Sequence, residues 1–160
     1  MKLGMVIGEL HRCENKLASH LAVLADRHRT DHEIHHVARD LITWSHQHIR
    51  QLSDTGHRFG LNLAQEPGRD PGLPRAVREK LSHWFGCRPE PGLLLLADLR
   101  HLHLVAAEVS LNWELLGQAA QATKDTELLD LTTRCHPETL RQMRWANAML
   151  KVTAPQALTS

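Results

Sequence analysis

The spacing between four helical stretches is the feature that most constrains the fold of this chain. Apolar residues recur with a period of about 3.6 positions in four segments, at about residues 3–27, 30–56, 93–122 and 126–150. Only a few residues separate the first two segments, and the same holds for the last two, so each pair is expected to form an antiparallel hairpin. The middle connection, residues 60–92, is roughly 30 residues long and can return the chain along a whole bundle. A simple up-and-down bundle does not need such a connection, whereas a bundle whose second and third helices run parallel does.

The connection over residues 60–92 differs in composition from the helical stretches. It holds five of the seven prolines and five of the nine glycines. Pro74 suits a first helical position and Gly86 suits a stop. We therefore expect a short helix over residues 74–85, whose apolar side chains, Trp84 among them, form a lid on the bundle.

Local signals indicate where the second and fourth helices begin, bend and end. Thr30 followed by Glu33 is a capping box, so the second helix is expected to begin at Thr30. Pro137 lies inside the fourth helix and is expected to kink it. The tail, residues 153–160, contains Pro155 and is expected to be frayed or loosely docked. The apolar face of the fourth helix is predicted to consist of Leu129, Leu140, Met143 and Leu150.

The composition indicates a single domain, residues 1–160, of a cytoplasmic protein. A chain of 160 residues can bury a full core without disulfides or a structural metal. The net charge of +1 and the aromatic content of 4% argue against a nucleic-acid partner. The longest apolar run, Leu93–Ala97, is far too short to span a membrane, and the first residues do not have the pattern of a signal peptide. The three cysteines have no Cys-x-x-Cys spacing, which favours free thiols.

Each helical stretch carries polar residues on or beside its predicted apolar face. The residues are Glu14, Ser45, His48, Glu108, Asn112, Thr132, His136 and Asn147. A buried carboxylate is costly unless it is paired or bound to a cation. Antiparallel geometry puts Glu14 level with Ser45 and one turn from His48. In the other hairpin, the same geometry puts Glu108 about one helical turn away from the height at which His136 lies. Oxygen and imidazole ligands from four helices then converge, so we predict a metal site with the ligands Glu14, His48, Glu108 and His136.

At these positions the chain resembles the ferritin-like superfamily, whose bundles carry one Glu on each of two helices and Glu-x-x-His on each of the other two. Glu14 matches the first-helix Glu, and Glu108 matches the third-helix Glu. His48 matches the His of the second-helix motif, with Ser45 in place of its Glu. The resemblance implies an all-α, ferritin-like four-helix bundle with a long crossover between helices 2 and 3 that contains a short extra helix.

The last-helix motif departs from the family pattern. Cys135 and His136 occupy the region, and Thr139 stands where a His would complete the spacing. A complete site supplies about four carboxylates and two His for two irons, whereas this chain offers at most two of each. The resemblance therefore implies one iron, manganese or zinc ion, or none, in place of a dinuclear centre.

Two functions fit these observations, and neither decides whether the chain is an enzyme. The first is a ferritin-like metal-binding protein that handles iron or manganese or acts in oxidative stress. The second is a non-catalytic scaffold or protein-interaction module, in which Glu14 forms a buried ion pair with His48 or His136 and no metal is bound. A third, a mononuclear bundle with three His ligands, lacks a clearly buried third His. We expect a homodimer that forms through the last helix, where Trp145 is predicted to be exposed, or through the Trp84 lid.

Overall fold

A computed structural model describes residues 2–68 and 90–160 of the chain. It contains a short 3₁₀ turn at His57–Phe59 and four long helices: α1 (Lys2–Arg27), α2 (His32–Gly56), α3 (Pro91–Thr123) and α4 (Thr126–Thr159). These two ranges contain no strand, so the predicted all-α class is confirmed. None of the helices described is long and apolar enough to cross a membrane. The expected helix over residues 74–85, with Trp84, lies outside the described residues.

Side-chain pairs between the helices establish their directions. The short turn after Arg27 makes α1 and α2 an antiparallel hairpin. Between α1 and α3, Lys16 pairs with Glu108 and Arg27 pairs with Asp98, so residue numbers rise on one helix as they fall on the other. Because α2 and α3 are both antiparallel to α1, they run parallel to each other, as the long middle connection predicts. α3 and α4 form the second hairpin, and α4 runs antiparallel to α2.

The described start of the crossover turns back along the first hairpin. Gly60 adopts a left-handed conformation with φ 74°, which favours glycine, and it ends the 3₁₀ turn. The hydroxyl of Ser53 on α2 then donates to the carbonyl of Leu63 at 2.6 Å. Further along, the backbone N–H of Gly68 donates to the Asn15 side chain of α1 at 2.8 Å. The segment therefore leads from the end of α2 towards the middle of α1.

Aspartates cap the two helices that follow the hairpin turns. The side chain of Asp31 accepts from the backbone N–H of Ile34, so the predicted capping box at Thr30 is wrong and α2 begins at His32. The cap therefore lies one residue later than the box predicts, and it serves the N–H of Ile34 in place of that of Glu33. Asp125 caps α4 in the same way, by accepting from the N–H of Leu128.

α4 is longer than predicted and presents a different face. It continues through Pro137 and Pro155 to Thr159, so the tail is helical and not frayed, with most of its side chains exposed. Ala157 lies beside Gly92 at the start of α3, and this packing accompanies the extra turns. The buried residues of α4 are Leu128, Leu131, Thr132, Cys135, Thr139, Gln142 and Ala146. The predicted apolar residues are only half-buried. Thr139 and Gln142 occupy the core positions one residue before Leu140 and Met143.

Two further details of α4 correct or explain its packing. Trp145, predicted to be exposed, is half-buried and packs against the core. Near the other end, α3 and α4 approach closely where a Cβ on Gly117 would lie 3.0 Å from the Thr132 methyl carbon. Exposed large apolar side chains include Leu104, Leu111 and Leu115 of α3, with 49%, 63% and 59% of their area exposed, together with Val152 and Leu158 near the end of α4 and Met5 of α1.

Candidate functional site

A carboxylate and an imidazole meet in the interior of the bundle. Glu14 on α1 and His48 on α2 are both buried, and Glu14 Oε1 lies 2.8 Å from His48 Nδ1. The same oxygen accepts a hydrogen bond of 2.8 Å from the indole N–H of Trp113 on α3. Three helices therefore hold the Glu14 carboxylate in place. We call this group and its neighbours the polar centre, which consists of Glu14, Ser45, His48, Trp113, Cys135, Glu138, Thr139 and Gln142.

α4 supplies a second carboxylate to the same imidazole. Glu138 Oε2 lies 2.8 Å from His48 Nε2, and 27% of the Glu138 side chain is exposed. Burial acts to lower the pKa of His48, but the Glu14 carboxylate and the Cys135 side chain outweigh it, so this pKa lies well above its usual value. The imidazole is therefore protonated near neutral pH, and both ring N–H groups donate to carboxylates.

Two further polar residues of α4 in the polar centre form hydrogen bonds to α2. The side-chain amide of Gln142 donates to the Leu41 carbonyl at 2.9 Å and to the Ser45 hydroxyl at 3.0 Å. The thiol of Cys135 donates to Gln51 Oε1 at 3.0 Å. These bonds join α4 to α2 over about two turns, and they explain why polar side chains occupy the core face of α4.

Three oxygen atoms of the polar centre have no hydrogen-bond partner among the described residues. They are Glu14 Oε2, Thr139 Oγ1 and Gln142 Oε1, and all three are buried. A buried oxygen without a partner costs about 1–3 kcal/mol. With two carboxylates and one imidazolium, the centre also carries one negative charge in excess. Both features favour binding of a cation or of a hydrogen-bond donor there.

The structure brings together only two of the four predicted metal ligands. Glu14 and His48 are in contact. Glu108 is 41% exposed and pairs with Lys16 Nζ at 3.1 Å. His136 is half-buried, its Nε2 lies 2.9 Å from the Ser110 hydroxyl, and burial lowers its pKa. The expected convergence of all four residues is therefore not found.

Three members of the polar centre, Trp113, Glu138 and Gln142, were not singled out from the sequence. Glu138 follows Pro137. The core face of α4 was predicted from apolar residues alone, and that prediction did not include Glu138. Trp113 is fully buried, and its indole N–H needs an acceptor. That requirement, combined with the buried Glu14 on an adjacent helix, is the signal that would have identified the pair.

A second group of ligand types lies near the bundle surface. Ligand atoms of Glu9, Cys13 and Glu108 lie within 4.8 Å of one another, the one such group of three or more in the part of the chain that the structure describes. Burial, followed by the Glu108 charge, raises the pKa of the Cys13 thiol to about 12. Arg12 already donates to Glu9 at 2.6 Å, and Lys16 already neutralises Glu108. A metal ion would have to displace both cations and the thiol proton.

Comparison with known proteins adds no relative from which a role could be transferred. No family model matches the chain, and neither a curated protein nor a solved structure matches it significantly. The resemblance to the ferritin-like superfamily therefore stays a prediction.

Proposed function

We propose that the chain is a metal-binding bundle of ferritin-like type that holds one divalent ion at the polar centre. The ligands are His48 Nε2 and Glu138, and Glu14 orients the imidazole through Nδ1. The observation that carries the proposal is the position of one buried imidazole between two carboxylates, at 2.8 Å on each side. Iron, manganese and zinc are the ions that such nitrogen and oxygen ligands suit.

The two carboxylates have different roles in this proposal. Glu14 is buried and fixed by Trp113, so it accepts a hydrogen bond from the Nδ1–H of His48 and sets the tautomer of the ring. Carboxylates commonly act in this way on metal-binding imidazoles. Nε2 is then free of its proton and faces Glu138, which is partly exposed and can adjust. Two ligand atoms that bind one ion at about 2.1 Å and at right angles lie about 3.0 Å apart, close to the observed separation.

Charge and hydrogen bonding support the same site. With the proton on His48 Nε2, the formal charges of the centre sum to minus one. When a divalent ion replaces this proton, they sum to zero. The unpartnered oxygens of Glu14, Thr139 and Gln142 supply hard donors, directly or through water. The centre offers too few carboxylates for the two irons of a complete ferritin-like site, so a single ion is proposed.

Metal analysis of untagged protein, purified without chelator, tests the proposal. About one equivalent of iron or manganese per chain is expected after loading. Glu138→Gln should abolish it, and Glu14→Gln should weaken it by about 10–100-fold. Glu108→Gln is the matched control, since it removes an exposed carboxylate and should leave loading unchanged. If wild-type protein takes up no metal, or if Glu138→Gln loads as wild type does, the proposal is wrong.

A second candidate function, a non-catalytic scaffold or interaction module, is favoured by the exposed leucines of α3. Leu104, Leu111 and Leu115 are spaced by seven and four positions, so they share one stripe on the helix. In this alternative the polar centre is a metal-free ion network, and α3 forms the homodimer contact in place of Trp145. Sedimentation of Leu111→Glu tests it. Wild-type dimers that dissociate in the variant would support it, and a wild-type monomer would rule the homodimer out.

The buried, unpaired thiols of Cys13 and Cys135 fit a reducing compartment, so we also propose a cytoplasmic location. Fractionation of cells that express the protein tests this, and recovery outside the cytoplasm would contradict it.

A further inference from the structure

Two imidazoles from different helices meet away from the polar centre. His20 on α1 and His101 on α3 place their Nε2 atoms 3.1 Å apart, with ring centroids 4.3 Å apart and the ring planes 76° to each other. Both residues are half-buried, so the pair can be reached from solvent. At this distance the two nitrogens share one proton at most, because two N–H groups facing each other would repel.

The surroundings keep both rings neutral. Burial, followed by the neighbouring His101 and Lys16, lowers the pKa of His20 to about 4. The pKa of His101 is also lowered, by burial first and then by Lys16, while Asp98 acts in the opposite direction on both rings. Arg100 adds to the positive charge near His101. Both rings are therefore neutral, as imidazole ligands are, and one of the two Nε2 atoms carries the shared proton.

We propose that His20 and His101 bind one transition-metal dication of the class that prefers imidazole, such as Cu²⁺, Ni²⁺ or Zn²⁺, through their Nε2 atoms. Two nitrogens at about 2.05 Å from one ion and 3.1 Å apart subtend an angle of about 98°, between the square-planar and tetrahedral values. Rotation of each ring about its Cβ–Cγ bond makes the two lone pairs converge. The ring that carries the shared proton changes tautomer: its Nε2 proton leaves to solvent and its Nδ1 takes up a proton from solvent, so both rings stay neutral when the ion binds.

The ligand set is limited to these two imidazoles plus water. The nearby carboxylate of Asp98 is occupied, since Arg27 contacts it at 2.8 Å and His28 Nε2 contacts it at 2.8 Å. Because the two imidazoles come from different helices, a bound ion cross-links α1 to α3. Binding to the folded state alone raises the thermal midpoint of unfolding. The proposal does not depend on a metal at the polar centre.

Calorimetric titration with Cu²⁺ near neutral pH tests the proposal. The background is the variant His32→Ala/His36→Ala, because that exposed i,i+4 pair has stacked rings with centroids 6.2 Å apart and can also collect the ion. In this background, His101→Gln should weaken binding by at least about tenfold. His103→Gln is the matched control two residues along α3; its ring contacts the Met143 carbonyl at 3.2 Å, and its loss should not affect binding.

A second readout separates loss of the site from loss of the fold and from binding at the polar centre. Cu²⁺ is paramagnetic and should broaden the ring NMR signals of His20 and His101 before those of His48. Added Cu²⁺ should also raise the thermal midpoint of the background protein and not that of His101→Gln. If Cu²⁺ affinity is the same with and without His101, or if His48 broadens first, the proposal is wrong, whatever the outcome of the metal analysis with Glu138→Gln.

Discussion

Replacement of Glu14 by Gln tests how much the buried carboxylate contributes to stability. Glu14 is buried and accepts from both His48 Nδ1 and Trp113 Nε1 through one oxygen. Glutamine has the same shape, so the substitution leaves no cavity. It removes the negative charge, and it leaves one amide oxygen for the two donors. The imidazolium of His48 keeps only Glu138 as an anionic neighbour.

The structure sets the expected magnitude. Loss of one partner from a buried ion pair costs about 3–5 kcal/mol. The amide oxygen can take the place of Oε1 and still accept both hydrogen bonds, although more weakly, which returns about 1 kcal/mol. We therefore expect Glu14→Gln to lower the free energy of unfolding by roughly 2–4 kcal/mol, which for a chain of this length lowers the melting temperature by roughly 4–16 °C.

Urea denaturation followed by circular dichroism measures this difference. The control is Glu108→Gln, whose carboxylate is 41% exposed; its loss should cost no more than about 1 kcal/mol. The pH dependence has a definite sign. His48 has a raised folded-state pKa, so its contribution is complete below the unfolded pKa of about 6.5 and is lost as pH rises through the folded value. The gap between wild type and Glu14→Gln should therefore narrow in alkaline solution. A gap no larger than that of the control would refute the reasoning.

Three further predictions concern other parts of the bundle. Gly117→Ala should destabilise it by about 1–3 kcal/mol in urea titrations, because the new methyl would lie 3.0 Å from Thr132, whereas Gly8→Ala meets no atom within 4 Å and should stabilise the helix by about 0.5–1 kcal/mol. Cys13, whose thiol pKa is about 12, should react with iodoacetamide much more slowly than a free peptide thiol when the other cysteines are serine; equal rates would contradict its burial. The lowered pKa of His20, about 4, means that stability is present above the unfolded pKa of about 6.5 and is lost as pH falls towards 4; His20→Gln should flatten this slope, and an unchanged slope would contradict it.

The helices could be predicted from the sequence because their signals are local. Apolar periodicity and short connections located four helices, and the length of residues 60–92 indicated that α2 and α3 run parallel. The predictions of where α2 begins and where α4 ends were wrong. The first failed because a neighbouring residue forms the cap, and the second because packing between helices extends α4. Asp31 competes with Thr30 for the same cap, and Ala157 at the end of α4 packs beside Gly92.

The candidate site could be predicted only in part because apolar patterning describes it poorly. Burial of Glu14 is costly without a partner, and the antiparallel arrangement of α1 and α2 brings Glu14 within one helical turn of His48. These two arguments were enough to predict that Glu14 lies near His48. Glu138, the partner that α4 provides for His48, was not predicted. The core face of α4 includes the polar residues Thr139 and Gln142, and apolar periodicity selects the positions beside them. Where a helix contributes hydrogen bonds to the core, its buried face is determined by partners on other helices, which its own sequence does not reveal.

The distribution of polar pairs has a consequence for the order of folding. Lys16 with Glu108 and His48 with Glu138 each join one hairpin to the other, across 92 and 90 positions of the chain. Contacts within a hairpin are closer in sequence and form faster. The hairpins should therefore form first and dock afterwards, when the long-range pairs close. Salt screens exposed charges and not buried ones, so added salt should slow docking through the Lys16 pair and leave hairpin formation unchanged.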